Sequence, residues 1–401
     1  MLNLLKTCIF FICNLFVGHM LVLRKRFIDE IDRGFKTCPI VALLGPRQCG
    51  KTTLAKEYFK ATHSKTCRFF DAEDPEQRML LIQNPKTLEL VTEDYIVIDE
   101  VQLLRDIFPY LRVLVDKSNK KLLLLGSASR DLITHSSETL AGRIDYVRVS
   151  PFNITEVSDI NTLWMRGGFP KSFLAGDDDT SFRWRNNYIM TYLERDVLQL
   201  FHGVNSDLMR QIWMMVAHYH GNIVNYSEVS RSLGVADMTI RRYMEILNGT
   251  FMVRKLQPWF ENISKRQVKS PKIYIRDSGI LHNLLGVSEN SYKLNPKVGA
   301  SWEGFAMEQI IAQYALRDEE CYFWNAQSVC EVDLLVIKGV RKIAFEFKYA
   351  TAPIVTKQMQ DLFPLLRPDK FIIITPGAGY YQIDDMVSVC GLGSKEFTNL
   401  F

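Results

Sequence analysis

The chain has 401 residues, 47% of them hydrophobic and 23% charged, with a formal net charge of +4. That length allows two or three domains of ordinary soluble composition, and so small a basic excess gives no bulk argument for a nucleic-acid partner. Cysteines at 8, 13, 38, 49, 67, 321, 330 and 390 form no C-x-x-C pair, which excludes a zinc ribbon and a disulfide framework and points to the reducing cytoplasm.

Residues 8–23, CIFFICNLFVGHMLVL, are largely apolar, with Lys6 before them and Arg24, Lys25 and Arg26 behind. No clear small-residue cleavage site precedes the basic cluster, against a signal peptide. A membrane span would be short and interrupted by Asn14 and His19. MLVLRKRFIDEIDRGF already reads as an amphipathic opening helix, so residues 1–19 are expected to be a leader upstream of a true start at Met20, with a weak anchor or a packed helix as the other readings.

From 20 to 150 short apolar runs alternate with amphipathic segments, the pattern of a parallel α/β sheet. Strands are expected at IVALL, CRFFDA, YIVIDE, KLLLLGSA and DYVRVS. The first runs straight into GPRQCGKTT, residues 45–53, which fits G-x-x-x-x-G-K-[ST] at every fixed position. Gly45 and Gly50 let the loop (Pro46, Arg47, Gln48 and Cys49) wrap a phosphate with backbone N–H groups, and the next helix points its positive dipole end at the anion. Lys51 can reach the outer phosphates; Thr52, followed by Thr53, can ligate Mg²⁺ through its hydroxyl. ATP and Mg²⁺ are therefore the expected cofactors.

The run YIVIDEVQ, residues 95–102, ends a buried strand in two acids. Asp99 is suited to hold Mg²⁺, and Glu100 to orient and deprotonate the attacking water. The next strand ends in Ser127 and Ser129; Ser127 is the preferred hydroxyl to touch that water or the γ-phosphate. In LAGRID, Arg143 follows a glycine and reads either as an arginine finger, in cis or from a neighbouring subunit of a homo-oligomer, or as a surface arginine.

After Pro151 the sequence becomes helical and aromatic, as in RWRNNYIMTYLERDV. From 205 onward, NYSEVSRSLGVADMTIRRYMEILNGTFMVRKLQPW reads as helix, glycine turn, helix and β ribbon, a winged helix. Its second helix carries Thr239, Arg241, Arg242 and Tyr243 near the start, the placement a DNA-reading helix uses, although such elements also bind proteins or act as lids. Lys265, Arg266, Lys269 and Lys272 fit a phosphate-contacting loop.

From about 296 a helix, SWEGFAMEQIIAQYAL, precedes strands CYFWNA, CEVDLLVI, KIAFEFKY and KFIIIT. Asp333 lies on the second strand, and alternation puts Glu346 and Lys348 on one face of the third. Two carboxylates can hold Mg²⁺ while a lysine activates water or stabilises charge on phosphorus, and Glu303 on the helix could complete the metal shell.

The segments GPRQCGKTTL, IDEVQ, LLGSAS, LAGR, GGFP (167–170), YLERDV (192–197) and IYIRDSGILHNLLG (273–286) occur in an order that resembles a group of prokaryotic AAA-type ATPases ending in a domain of unknown function. The resemblance covers nearly everything from Met20 and implies a regulatory or remodelling ATPase. The Asp333, Glu346, Lys348 arrangement resembles the PD-(D/E)XK nuclease fold, with Val332 where that family has proline.

The expected architecture is α/β: a P-loop AAA-type ATPase domain over 20–150, a helical connector over 151–204, a winged-helix domain over 205–265 and a restriction-endonuclease-like α/β domain over 266–401. The expected function is an Mg²⁺-dependent ATPase whose nucleotide state controls a DNA-binding or nuclease-like module. The alternative is a nucleotide-gated module that binds DNA or a protein partner through a degenerate, non-cutting nuclease fold.

Overall fold

Near-continuous apolar runs bounded by turns suit strands buried on both faces, and three such runs, IVALL, YIVID and KLLLLG, form the centre of the first sheet between the less buried CRFFD and IDYVR. A computed structural model describes residues 22–62, 66–127, 139–201, 203–260, 270–287, 291–326 and 330–401. The leader at 1–19, Ser129, Lys265, Arg266 and Lys269 lie outside the described residues. The chain divides into two compact units, residues 1–149 and 150–401.

The first unit opens with α1 (Lys25–Thr37), which buries Phe27, Ile31 and Phe35 at i, i+4 and i+8, one stripe of a helix. Then come β1 (Ile40–Leu44), α2 (Lys51–Ala61), β2 (Cys67–Asp71), α3 (Pro75–Gln83), β3 (Tyr95–Asp99), α4 (Phe108–Lys117), β4 (Lys121–Gly126) and β5 (Ile144–Arg148). All pairings are parallel in the order β2-β3-β4-β1-β5. Thus β4 separates the two strands whose ends carry the phosphate loop and the paired acids. β1 and β3 are buried throughout, and the core joins Val41, Leu43, Val97, Leu123 and Leu125 to Phe27, Phe35, Tyr58 and Phe59.

The second unit begins with α5 (Ile160–Arg166), α6 (Pro170–Phe173) and α7 (Asp178–Thr191). A π-helical turn at Tyr192–Asp196 joins α7 to α8 (Val197–Leu200). Next are α9 (Ser206–His218), β6 (Asn222–Ile223), α10 (Tyr226–Leu233) and α11 (Asp237–Gly249). Asn225 caps α10, and Gly234, at φ 65°, ends it before α11, so the sequence signals for helix, turn and helix act as read. A ribbon follows, β7 (Val253–Pro258) and β8 (Lys272–Ile275), then α12 (Ser278–Leu284) and α13 (Val298–Gln313). The remaining elements are β9 (Cys321–Ala326), β10 (Cys330–Lys338), β11 (Arg341–Phe347), α14 (Lys357–Leu366), β12 (Lys370–Thr375), β13 (Tyr380–Gln382) and β14 (Val387–Gly391).

The ribbon does not stand apart. β7 pairs in parallel with β9 through Gln257 and Pro258, giving one nine-stranded sheet in the order β13-β14-β12-β11-β10-β9-β7-β8-β6. Within it β10 bulges: Val332 faces Trp324 and Leu335 faces Tyr322, one residue too many on β10. A bulge re-aims a side chain locally. Here it lets Leu334 and Leu335 both be buried and turns Asp333 toward the end of β11, where its Oδ2 accepts from the Phe347 N–H at 3.2 Å.

Candidate functional site

The carboxyl ends of β1, β3 and β4 adjoin, the edge at which open α/β sheets bind ligands. Gly45 leaves β1 against the chain after β5, and a Cβ there would lie 2.0 Å from the Val149 carbonyl oxygen. Gln48 and Gly50 hold φ of 60° and 96°, the left-handed turns that curl the loop into α2. Buried Lys51 folds over that loop and donates from Nζ to the Gly45 and Pro46 carbonyls, both at 3.0 Å. Arg47 pairs with Glu73, and Thr53 is exposed. Cys49 is buried; its carbonyl accepts from Arg24 Nη1 at 3.1 Å, so the residue preceding α1 braces the loop.

Thr52 Oγ1 donates to Asp99 Oδ2 at 2.6 Å, which joins the loop to the acid strand. Burial pushes the Asp99 carboxyl above its ordinary pKa; the Thr52 bond opposes that shift and the neighbouring Glu100 adds to it. Glu100 adopts φ 50°, and its backbone N–H donates to Asp99 Oδ1 at 2.9 Å. Gln102 then ties three groups together. Its Nε2 donates to Glu100 Oε2 and to Ser127 Oγ, the latter at 2.9 Å, and its Oε1 accepts from the Ser127 N–H at 3.4 Å. Ser127 Oγ also donates to Glu100 Oε2 at 3.2 Å. Sequence reasoning missed Gln102 and Arg24; the adjacency of Gln102 to IDE was the available signal for the first.

Arg143 is outside this cluster. Its guanidinium forms a two-pronged pair with Asp116 on α4, at 2.6 and 2.9 Å, in an exposed setting.

In the second unit, Arg241 stacks over the Tyr226 ring at 4.5 Å and pairs with Asp237 at 3.6 Å. Tyr243, expected near the start of a DNA-reading surface, is instead buried, its OH accepting from the Asn205 N–H at 2.8 Å. Its position in the apolar stripe of α11 explains the difference.

Glu303, Asp333, Glu346 and Lys348 converge, and Glu303 and Asp333 pair with a residue expected elsewhere. Lys272 is not in a loop: it lies on β8 with its side chain 4% exposed. Its Nζ is 3.5 Å from Glu303 Oε1 and 3.4 Å from Asp333 Oδ1, and it also pairs with Glu331. Tyr274, two residues along the same face, donates to Glu303 Oε1 at 2.5 Å. Lys348 Nζ pairs with Glu346 Oε1 at 2.7 Å. Burial, reinforced by Asp333, raises the Glu303 carboxyl to about 7 and that of Glu346 to about 8. Burial disfavours the Lys272 charge, yet Tyr274, Asp333, Glu303 and Glu331 together hold its pKa above the ordinary lysine value. Among the described residues, no three His, Cys, Asp or Glu groups stand close enough to hold a metal ion.

Among the described residues no helix is long and apolar enough to cross a membrane, and Cys38, Cys49, Cys67, Cys321 and Cys390 are free thiols.

Residues 37–158 match the AAA domain family; residues 157–291 and 298–394 match two domains of unknown function, DUF8612 and DUF4143. Solved structures with a likeness include the Walker-type ATPase paby2304 of Pyrococcus abyssi, with 15% identity and a TM-score of 0.48 over 66% of this chain and 96% of that one. AMPPCP-bound DnaA from Aquifex aeolicus gives 13% identity and a TM-score of 0.30 over 57% of this chain and 89% of that one. The uncharacterized proteins Rv2008c of Mycobacterium tuberculosis and Mb2031c of Mycobacterium bovis are each 42% identical to this chain over 376 residues, 92% of it and 84% of their own length. The chain therefore belongs to the same family as these two mycobacterial proteins, and its N-terminal unit is built on an AAA-type P-loop domain.

Proposed function

We propose that the protein is a cytoplasmic, Mg²⁺-dependent ATPase whose nucleotide state controls its C-terminal module. The observation that carries this reading is the 2.6 Å bond from Thr52 to Asp99, with Lys51 on one side and Glu100 held by Gln102 and Ser127 on the other. Lys51 folded onto the Gly45 and Pro46 carbonyls keeps its charge at the anion seat; bound phosphate exchanges those carbonyls for charged oxygens. Thr52 and Asp99 supply the hard oxygen donors that suit Mg²⁺, which when bound neutralises charge on the phosphates. Glu100 accepts the proton of the attacking water, while Ser127 and Gln102 fix its carboxylate direction. The free thiols agree with a reducing compartment.

Arg143, exposed on a loop, is offered as an arginine finger between copies of the chain, because its pairing with Asp116 is accessible to a competing phosphate. The residues of 205–265 form the DNA- or protein-binding part of the module, with Arg241 and Arg242 exposed on α11. A second reading, in which the C-terminal region is a degenerate nuclease fold that binds without cutting, is favoured by the lysine lodged among Glu303, Glu331 and Asp333.

Purified protein is incubated with Mg²⁺ and ATP, with and without DNA. The expected result is phosphate release that Lys51→Ala abolishes, and DNA or partner binding that changes with nucleotide. DNA cleavage lost in Glu346→Ala would instead establish the cutting reading, and turnover surviving in Lys51→Ala would refute the ATPase.

A further inference from the structure

Four carboxylates lie where α13, β10 and β11 meet, donors of the type that suits a divalent cation, although as placed no three of them stand close enough to hold one. All four are already held by groups of this chain. Glu303 faces Lys272 and the Tyr274 hydroxyl; Asp333 faces Lys272 with one oxygen and the Phe347 N–H with the other; Glu346 faces Lys348. Glu331 closes the group by pairing with Lys272.

The lysine is built in rather than splayed across a surface. β8 pairs with β7 on one side and β6 on the other, with Lys272 opposite Leu256 and Ile223. Its ammonium lies 5.8 Å from the Phe323 ring centre, and its side chain has almost no exposure. Mg²⁺ requires oxygens at about 2.0–2.1 Å in near-octahedral order. An ammonium 3.4 Å from Asp333 and 3.5 Å from Glu303 fills the space between the two carboxylates that would have to close on the ion. The donors are therefore of the right type, but the seat is taken, and the centre does not fit a divalent metal.

We infer that Lys272 is the resident cation of this centre: its ammonium pairs with Glu303, Glu331 and Asp333 and excludes divalent metal, so that removing the lysine charge creates a metal site that the native chain lacks. The inference sharpens the non-cutting reading of the C-terminal region. It is read from metal binding alone, without ATP or DNA, so its failure is distinguishable from failure of the ATPase reading.

The test titrates the nucleotide-free full chain with Mn²⁺ at neutral pH and follows free Mn²⁺ by electron paramagnetic resonance. Wild type and Asp333→Asn should bind the same amount at millimolar Mn²⁺, because any ion held elsewhere is indifferent to Asp333. Lys272→Met and the more conservative Lys272→Gln should each gain one Mn²⁺, and Lys272→Met/Asp333→Asn should lose it again. Circular dichroism establishes which variants are folded. Mn²⁺ bound by wild type but lost in Asp333→Asn would overturn the inference whether or not the Lys272 variants fold. So would a folded Lys272 variant that gains no ion.

Discussion

Replacing Gln102 by leucine isolates how the water-activating carboxylate is held. Gln102 is 8% exposed and bridges Glu100 to Ser127 through its amide, while Ser127 keeps its own 3.2 Å bond to Glu100. Leucine retains the volume and removes the amide donor. A hydrogen bond to a charged acceptor is worth about 1.5–3 kcal/mol, which at about 1.36 kcal/mol per decade corresponds to about a 10- to 100-fold fall in kcat. Gln102 touches neither Lys51 nor Thr52 in the bonds described, so nucleotide affinity should remain near the wild-type value. Steady-state phosphate release over a range of ATP concentrations, beside equilibrium binding of a fluorescent nucleotide, separates the two. An unchanged kcat, or a loss wholly in KM with matching loss of affinity, would refute the idea that Gln102 positions Glu100.

Gly45→Ala places a methyl group 2.0 Å from the Val149 carbonyl oxygen; such overpacking costs about 1–3 kcal/mol, and denaturant unfolding should report it along with weakened nucleotide binding. Arg143→Ala should leave Tm unchanged, because the Asp116 pair is exposed, yet lower turnover; mixing it with Lys51→Ala should restore hydrolysis if the arginine acts between subunits, and wild-type turnover in Arg143→Ala alone would remove its role. Burial, and next the Asp333 charge, raises the Glu346 carboxyl to about 8, so the folded state holds that proton more tightly than the unfolded chain. Wild-type stability should then fall as pH rises from the ordinary carboxylate value through about 8, and Glu346→Gln should escape that fall. Its Tm relative to wild type should thus climb between about pH 5 and 8, and parallel Tm curves would contradict the shift.

The centre of the first sheet was legible because parallel strands buried on both faces leave little ambiguity. IVALL is wholly apolar and YIVID is apolar between Tyr95 and Asp99, and each leads into its functional residues. Gln102 was not legible, because its importance arises from strand order: β4 lies beside β3, which sets Ser127 against a residue 25 positions earlier in the chain. Lys272 was misread for a different reason. In a run of basic residues a lysine is usually solvated, and only the pairing of β8 inside the large sheet turns Lys272 and Tyr274 together onto the acids. The bulge at Asp333 was hidden as well, since consecutive Leu334 and Leu335 read equally as an ordinary buried strand. Tyr243 fell on the apolar side of an amphipathic helix that also offered exposed arginines, and spacing near a helix start did not separate the two faces.

The central claim is that residues 45–53, Asp99 and Glu100 form one ATP-hydrolysing centre. Its most direct measurement is Mg²⁺-dependent phosphate release by wild type, Lys51→Ala and Glu100→Gln, each with nucleotide binding measured in parallel. The account predicts turnover in wild type alone, with binding lost in Lys51→Ala but kept in Glu100→Gln. Full turnover in either variant, or none in a folded wild type that binds Mg²⁺ and ATP, would contradict it.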